Sequence, residues 1–536
     1  MKKKYLYIIV FPLLLGCTDV LNTIPTDRLS SEVYWKTDQD AEYAANAIYR
    51  FLESPGTLIG RDIMTDMARA TFETSDETKV ETSIADPQTN IFQNTWNDLY
   101  KGIRRCNDYL ENVEKIVPTD VNKVNRITSE VRTLRCYFYA RLVAYFGEIP
   151  LVKTPIGISE SKTLTRTPVP EIYDFIYTEI TEAASFLPDK ATEIGRVTKG
   201  AALGILARTM LFASGNVTNT DNRTELYLQR AKEAADAVID LKAYSLLPKY
   251  QELFTYSNEN NIEIILDHQY MKDIYANAVM NNFGAVSLGN NGSMLSPTKK
   301  LVDEYETKNG KTITEDNSYD PKDPYNNRDP RLSYTLYYPG SLLPNGTTYD
   351  SRPGWSTSAD VIGASYQVSK TGLLPKKYIN TEDIGQSNRS NCGINLIILR
   401  YAEILLIAAE SRIELNTELD VALSYINQIR QRSDVSMPTL SIVAQKELRE
   451  AVRHERTVEL ALEGHRFFDI KRWKIAEDVC NMDKVDGIQY IDKNSGELTT
   501  VTTDYKKKFT SRDYLWPIPY NERQLNTNLT QNNGWD

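Results

Sequence analysis

Apolar and polar positions recur with helical spacing along most of this chain, most clearly from Ser441 to Trp473. Leu448, Ala451, Val452, Val458 and Leu462 fall on one stripe, the core-facing pattern of an amphipathic helix. Glu455 and Glu459 lie on the same stripe. A solvated helix turns its carboxylates the other way, so these two are expected to be buried acids with cationic partners, because an unpaired buried charge is very costly. Arg453, Arg456 and Arg466 are the nearby suppliers. Gly464 suits a helix C-terminus, and a second short helix would then carry Phe467, Phe468, Ile470 and Trp473.

The same period predicts helices over residues 38–52 (capped by Thr37 or Asp38), about 92–116, 121–146 with Gly147 as the stop, 167–187, 199–213, 223–241, 399–415 and 421–432. Closely spaced alanine and glycine in 199–213 allow tight helix approach, and its pairing with 231–240 resembles the two-helix unit of tetratricopeptide-like repeats. A comparable unit recurs at 399–415 with 421–432. Helix 399–415 is apolar on nearly every side, with Glu403 and Glu410 embedded in it; structural ion pairs are expected there. Residues 54–90 lack periodicity and read as a long loop. Residues 244–398 are rich in Asn, Gly, Pro, Ser and Tyr around one β-like run, 261–270. A structureless segment of that length is not expected in a compact domain, so it reads as a loop-rich insertion of short strands and helices. A second insertion, 478–513, suggests a hairpin around Asn494-Ser495-Gly496. The predicted fold is mainly α: tetratricopeptide-like helix pairs in a right-handed scaffold, with a loop-rich inserted subdomain.

At 536 residues the chain exceeds one compact core, which demands several domains or a repeat array. The formal charge is −10, and losing Lys2, Lys3 and Lys4 with a leader takes it to −13. An acidic chain without a basic stripe argues against nucleic acid as a partner. Lys2–Lys4 followed by the apolar run 5–15 forms a secretory leader too short to span a bilayer. Cleavage before Cys17 in Leu14-Leu15-Gly16-Cys17 would expose a thiol for lipid transfer, and more than one acyl chain gives stable membrane attachment. The expected organisation is a leader 1–16, a lipidated tether 17–36, a helical region 37–243, the insertion 244–398 and a C-terminal region 399–536.

Cys106, Cys136, Cys392 and Cys480 are scattered without a CxxC pair, which suggests neither a zinc site nor a redox motif and leaves a disulfide open. The three histidines, His268, His454 and His465, have no metal-site spacing and are expected to be structural. GxSxG, P-loop and dinucleotide motifs are absent from the sequence. No catalytic residue, cofactor or metal ligand is singled out. Among 72 acidic residues a glycosidase pair could meet in space, but no two stand out. Binding is the better prospect. Tyr (33) outnumbers Phe (14), and polar-tipped aromatics suit wet binding surfaces. Aromatic faces and amides on loops of a rigid scaffold would hold a sugar. The candidates are Phe72, Tyr275, Asn282, Phe283, Trp355 and Tyr366, with Asp86 or Asn290 as hydrogen-bonding partners. Trp96 and Trp473 fall in helical patterns and are expected in the core.

The stretch 454–473 (HERTVELALEGHRFFDIKRW) resembles the C-terminal signature of the SusD/RagB family, cell-surface glycan-binding lipoproteins of Bacteroidetes. The blocks at 15–49, 130–152, 399–416 and 514–535 resemble further family blocks in family order. That resemblance implies an outer-membrane lipoprotein, anchored here at Cys17 and facing the cell exterior. It also implies no enzymatic activity, and a helical side that caps a SusC-like TonB-dependent transporter and delivers oligosaccharides to it. Some relatives serve peptides, and family binding loops vary too much for any ligand contact to be carried over. A secreted glycoside hydrolase and a protein-binding repeat scaffold are the readings from other classes.

Overall fold

The computed structural model describes residues 34–191, 193–215, 222–385 and 387–536. The leader, Cys17 and the tether up to residue 33 lie outside them. Thr37 opens the first long helix, α1 (Asp38–Tyr49), with a capping box: its hydroxyl accepts from the Asp40 amide, and the Asp40 carboxylate accepts from the Thr37 amide. The helices that follow are α2 (Asn90–Val113), α3 (Val121–Phe146), α4 (Val169–Ala184), α5 (Lys199–Ala213) and α6 (Thr224–Asp240). Beyond the insertion come α7 (Tyr401–Leu415), α8 (Leu419–Arg430), α9 (Gln445–Glu459) and α10 (Arg466–Arg472). Packing joins α2 to α3, α5 to α6 and α7 to α8, with α6 against α7. The fold is thus mainly α and built of helix pairs, and the ends of the helices predicted over 38–52 to 421–432 each lie within a turn of the observed ones.

Helix α7 shows why some of these helices are apolar all round. Ile404, Ile407 and Ala408 enter the main core, which runs from Ala41 to Trp535, while Leu405, Leu406, Ala409 and Ile413 enter a second core with α8 and α9. Its embedded acids are buried and paired. Glu403 meets Arg208 of α5, and Glu410 takes both terminal nitrogens of Arg472 at 2.6 Å and the Trp473 indole N–H at 2.7 Å.

The irregular part is held by short antiparallel pairs. Strand β1 (Ala68–Ala70) pairs with β3 (Leu295–Pro297), and β2 (Ile264–His268), inside the β-like run, pairs with β6 (Leu396–Arg400). Leu336–Tyr337 pairs with Leu374–Pro375 as β4 and β5. The second insertion is a hairpin of β7 (Val485–Ile491) and β8 (Leu498–Thr503), turning through Asn494-Ser495-Gly496. Residues 54–90 are not the loop expected. They hold helices Pro55–Gly60 and Asp76–Glu81 as well as β1, and most of 58–71 is buried. Elements of three to six residues are too short to show a period, which is why the sequence reads as loop.

The stripe on α9 departs from expectation in two ways. The helix ends at Glu459 rather than Gly464, and Leu462 is buried in a left-handed turn outside it (φ 59°). Gly464 also has positive φ (72°), and a Cβ there would sit 2.3 Å from the Leu58 carbonyl oxygen, so only glycine lets this turn press on the N-terminal segment. The partners of Glu455 and Glu459 are also different. Arg453 and Arg456 neighbour Glu455 by two and one positions, which point to other faces of a helix. Arg456 turns to Asp469 (2.9 Å), Arg466 to Asp66 (2.8 Å), and Arg453 lies over the Trp473 ring.

The true partners come from far along the chain. Glu459 is met by Arg331 (2.9 Å), Arg400 (2.7 Å) and Arg432 (2.9 Å), and Glu455 by Arg331 and Arg430. Glu263 bridges Arg400 (2.9 Å) and Arg432 (2.6 Å), and Glu463 bridges Arg400 (2.8 Å) and Lys377 (2.7 Å). All these groups are buried. Burial pushes the Glu459 carboxyl up, but the Arg432, Arg400 and Arg331 guanidiniums override it and hold the group well below the carboxylate range.

Three outcomes follow. Glu459→Ala takes one carboxylate partner from each of three buried guanidiniums and is expected to cost about 3–5 kcal/mol in urea unfolding. Because its folded pKa is depressed, the stability Glu459 supplies is complete above its ordinary value of 4.5 and is lost as pH falls. Glu410, which burial raises but Arg472 brings down to about 2, extends that loss toward pH 2. Stability measured at stepped pH is therefore expected to decline steadily below about pH 4.5. Asp62 behaves oppositely: burial raises it from 3.8 to about 7. It holds its proton in the fold, so its contribution falls as pH rises from its unfolded value to 7. Asp62→Asn is then expected to gain stability over the natural chain at pH 8 compared with pH 4.

Candidate functional site

The β1–β3 pair brings the residues after β1 against the insertion. Thr71 donates its amide to the Met294 carbonyl (3.0 Å), and Met294 donates to the Asn282 carbonyl (2.8 Å), so one backbone residue ties Asn282 to the neighbour of Phe72. The Phe72 carbonyl accepts from the Ser75 amide and the Thr78 hydroxyl, both at 3.1 Å, and Ser75 caps helix Asp76–Glu81. The half-buried Phe72 ring lies 6.3 Å from that of Tyr366, tilted by 60°. Tyr366 is 73% exposed. Its loop packs this close because Gly292 (φ 87°) has no side chain: a Cβ there would meet the Gln367 carbonyl oxygen at 2.0 Å.

Helix Asp76–Glu81 also faces a cleft of about 690 Å³, where Asp76 and Glu77 join Asn282, Arg50, Asn94 and Asp98. Asp76 is paired with Lys79 and Asp98 with Lys101, each at 3.0 Å. Beneath them Glu53 is held by Arg61, by Arg141 (3.1 Å) and by the Tyr137 hydroxyl (2.5 Å), and Arg61 donates to the Tyr145 hydroxyl (2.7 Å). Burial pulls the Arg61 guanidinium down. The cleft therefore sets carboxylates and amides over a floor in which Arg61 and Arg141 share the Glu53 carboxylate. Such a surface suits a neutral ligand rich in hydroxyls, which exchange hydrogen bonds with both groups.

The other candidates go elsewhere. The Tyr275 ring stacks on Tyr270 (5.2 Å, 13°) beneath Arg50 (4.9 Å), and its hydroxyl is 3.2 Å from His268 Nε2. It lines a neighbouring groove with Tyr34 and Trp35, and Arg50 and Phe51 form the wall between that groove and the cleft. Trp355, 40% exposed, donates its indole N–H to the Ile491 carbonyl (2.8 Å) on the β7–β8 hairpin, with Arg352 over its ring. Phe283 is fully buried and Asn290 nearly so, its amide spent on the Ala285 carbonyl, so neither is presented to a ligand. Asp86 is exposed but holds the Gln88 amide and the Thr89 hydroxyl ahead of α2. Trp96 is in the core, whereas Trp473 is only half-buried.

His268 is buried, and burial lowers it to about 4; His454 Nε2 is 2.6 Å from the Glu304 carbonyl oxygen. Cys106, Cys136, Cys392 and Cys480 are buried free thiols. Among the described residues no His, Cys, Asp and Glu are grouped to hold a metal ion, and no helix is long and apolar enough to cross a membrane. Arg50, Asp76, Glu77, Asn94 and Asp98 escaped the reading of the sequence. They sit on outer helix faces or at their ends, where polar residues are ordinary; the capping serine before Asp76 is the one local signal.

Comparison with known proteins places this architecture. The model of the SusD family matches residues 262–535, and one described as "Starch-binding associating with outer membrane" matches residues 41–211. A SusD-like protein of Formosa agariphila is 26% identical, with 99% of each chain covered. The crystal structure of a SusD-like carbohydrate-binding protein from Bacteroides fragilis superposes with a TM-score of 0.83 at 29% identity, covering 93% of this chain and all of that one. A laminarin-binding SusD-like protein shares the fold at TM-score 0.70 and 21% identity, covering 93% and 100% of the two chains. On the family match over more than half its length, the chain belongs to the SusD family.

Proposed function

We propose that this protein binds an oligosaccharide at the cell surface and passes it to a SusC-like TonB-dependent transporter in the outer membrane. The observation that carries the reading is the Phe72–Tyr366 pair, one ring widely exposed, tied through the Met294 backbone to a polar cleft. Aromatic faces take the C–H surfaces of a sugar, while Asn282, Asn94, Asp76 and Glu77 are placed to bond hydroxyls. The Bacteroides fragilis relative, described as carbohydrate-binding, supports this ligand class, and the outer-membrane family description supports the location. A lipid at Cys17 would supply the anchor, with the protein facing the exterior.

Binding without turnover fits the ion pairing of the cleft acids Asp76 and Asp98 with lysines. A shallow aromatic contact also permits release, as delivery requires.

Titration calorimetry of the chain against glucans, other plant and microbial glycans, and peptides is the test. A glycan is expected to bind, and Phe72→Ala and Tyr366→Ala are each expected to weaken it about tenfold, the loss of one aromatic contact. Unchanged affinity in both variants would remove the proposed site. Binding confined to peptides would replace the ligand class, and release of new reducing ends would replace binding by hydrolysis.

A further inference from the structure

Away from the cleft, a small cavity of about 50 Å³ lies where α3, α5, α7 and α10 meet. Four arginines line it, Arg141, Arg208, Arg456 and Arg472, together with Glu403 and Asp469. Arg456 is 4% exposed. Its Nε and Nη2 are both spent on Asp469, at 2.9 and 3.1 Å. Nη1, on the opposite edge of the guanidinium, is buried and has no acceptor among the described residues.

Arg208 repeats the arrangement. Its Nε and Nη2 are taken by Glu403, Nη2 also reaches the Ile398 carbonyl (2.6 Å), and the buried Nη1 has no acceptor among the described residues. Arg141 gives Nη2 to Glu53 at 3.1 Å and leaves a buried Nε without one. Arg472, by contrast, is complete, with Nε on Asp469 and both terminal nitrogens on Glu410. Both oxygens of Asp469 and both of Glu403 are engaged by these arginines. The lining thus presents unused cationic N–H donors around acids that are already occupied.

A buried charged donor without an acceptor costs more than the roughly 1–3 kcal/mol of a neutral one, so the site calls for an acceptor. Water would accept, but it brings two protons of its own that need acceptors here. A monatomic anion accepts from several directions and adds positive-charge compensation. The volume admits one such ion with a water beside it and is too small for a sugar ring. His465, also on the lining, is held well below its ordinary value by burial and then by Arg208, as expected beside a positive site. Arg208 retains partial exposure (side chain 16%), which offers a way in from solvent.

We propose that this cavity is a halide site, in which one chloride accepts from Arg208 Nη1 and Arg456 Nη1 and latches α5 to α9. The role is structural and separate from the cleft.

The test is to crystallise the full chain in bromide in place of chloride and collect at the bromine edge. A single anomalous peak within hydrogen-bonding reach of both Nη1 atoms is expected. In solution, chloride is expected to raise the melting temperature by about 2 °C over gluconate at equal ionic strength. Arg208→Gln, on the partly exposed edge, should abolish that difference while remaining folded by circular dichroism. Should Arg208→Gln fail to fold, the two readouts on the natural chain still decide. An ordered water without anomalous signal overturns the proposal, and so does an equal melting temperature in the two salts.

Discussion

The fold depends on one constraint: the Glu459 carboxylate, out of reach of water, must be matched in charge. Three guanidiniums do this, and each comes from a different part of the chain, Arg331 from the insertion, Arg400 from the end of β6 and Arg432 from just beyond α8. Because an unmatched member is so costly, the cluster accepts one mutual arrangement of these segments and disfavours others. Tyr250 closes it, with Arg400, Arg432 and Lys377 over its ring and its hydroxyl on the Glu459 carbonyl (2.9 Å). Apolar packing on α7 and α9 would tolerate small slides of one helix on another. Directional ion pairs do not.

That constraint reaches the cleft through short links. Glu463 belongs to the cluster, and Gly464 beside it presses on the Leu58 carbonyl in the segment that runs on to β1. Arg61 joins the same contact, donating to the Gly464 carbonyl (3.1 Å) while holding Glu53 in the cleft floor. From β1 the pairing with β3 carries the geometry to Met294 and Asn282. An irregular surface is thus fixed by a few polar contacts to a helical frame. That is how loops without a core of their own can present side chains in one place.

What the sequence revealed follows the same division. The helix pairs were legible because 12 to 26 residues of repeating pattern outweigh local noise. The double-sided packing of α7 was legible from its lack of a polar face. Burial of Glu455 and Glu459 could be read from their place on a stripe, but their partners could not. Arg331 lies 128 positions from Glu459, and nothing local encodes that pairing. Composition picked out Phe72 and Tyr366, which do meet, and equally Phe283, which is buried, because composition does not distinguish an aromatic ring in a loop's own core from one on its surface. The cleft acids on helix Asp76–Glu81 were hidden for a further reason: an acid in a first helical turn is already accounted for by the helix dipole.

Arginine–carboxylate pairing does two kinds of work in this interior, and the difference lies in how completely the protein supplies acceptors. Around Arg331, five distinct bonds to Asp329, Glu455 and Glu459 leave no nitrogen idle. Around Arg208 and Arg456 the same fork geometry stops one nitrogen short on each. A closed cluster fixes structure without reference to the medium. An open one makes part of the frame answer to whatever acceptor the medium provides, and here it does so where α5 of the N-terminal pairs abuts α9 and α10 of the C-terminal region. The two halves of the frame are therefore joined by contacts of unequal completeness, and the less complete one sets how the junction responds to its surroundings.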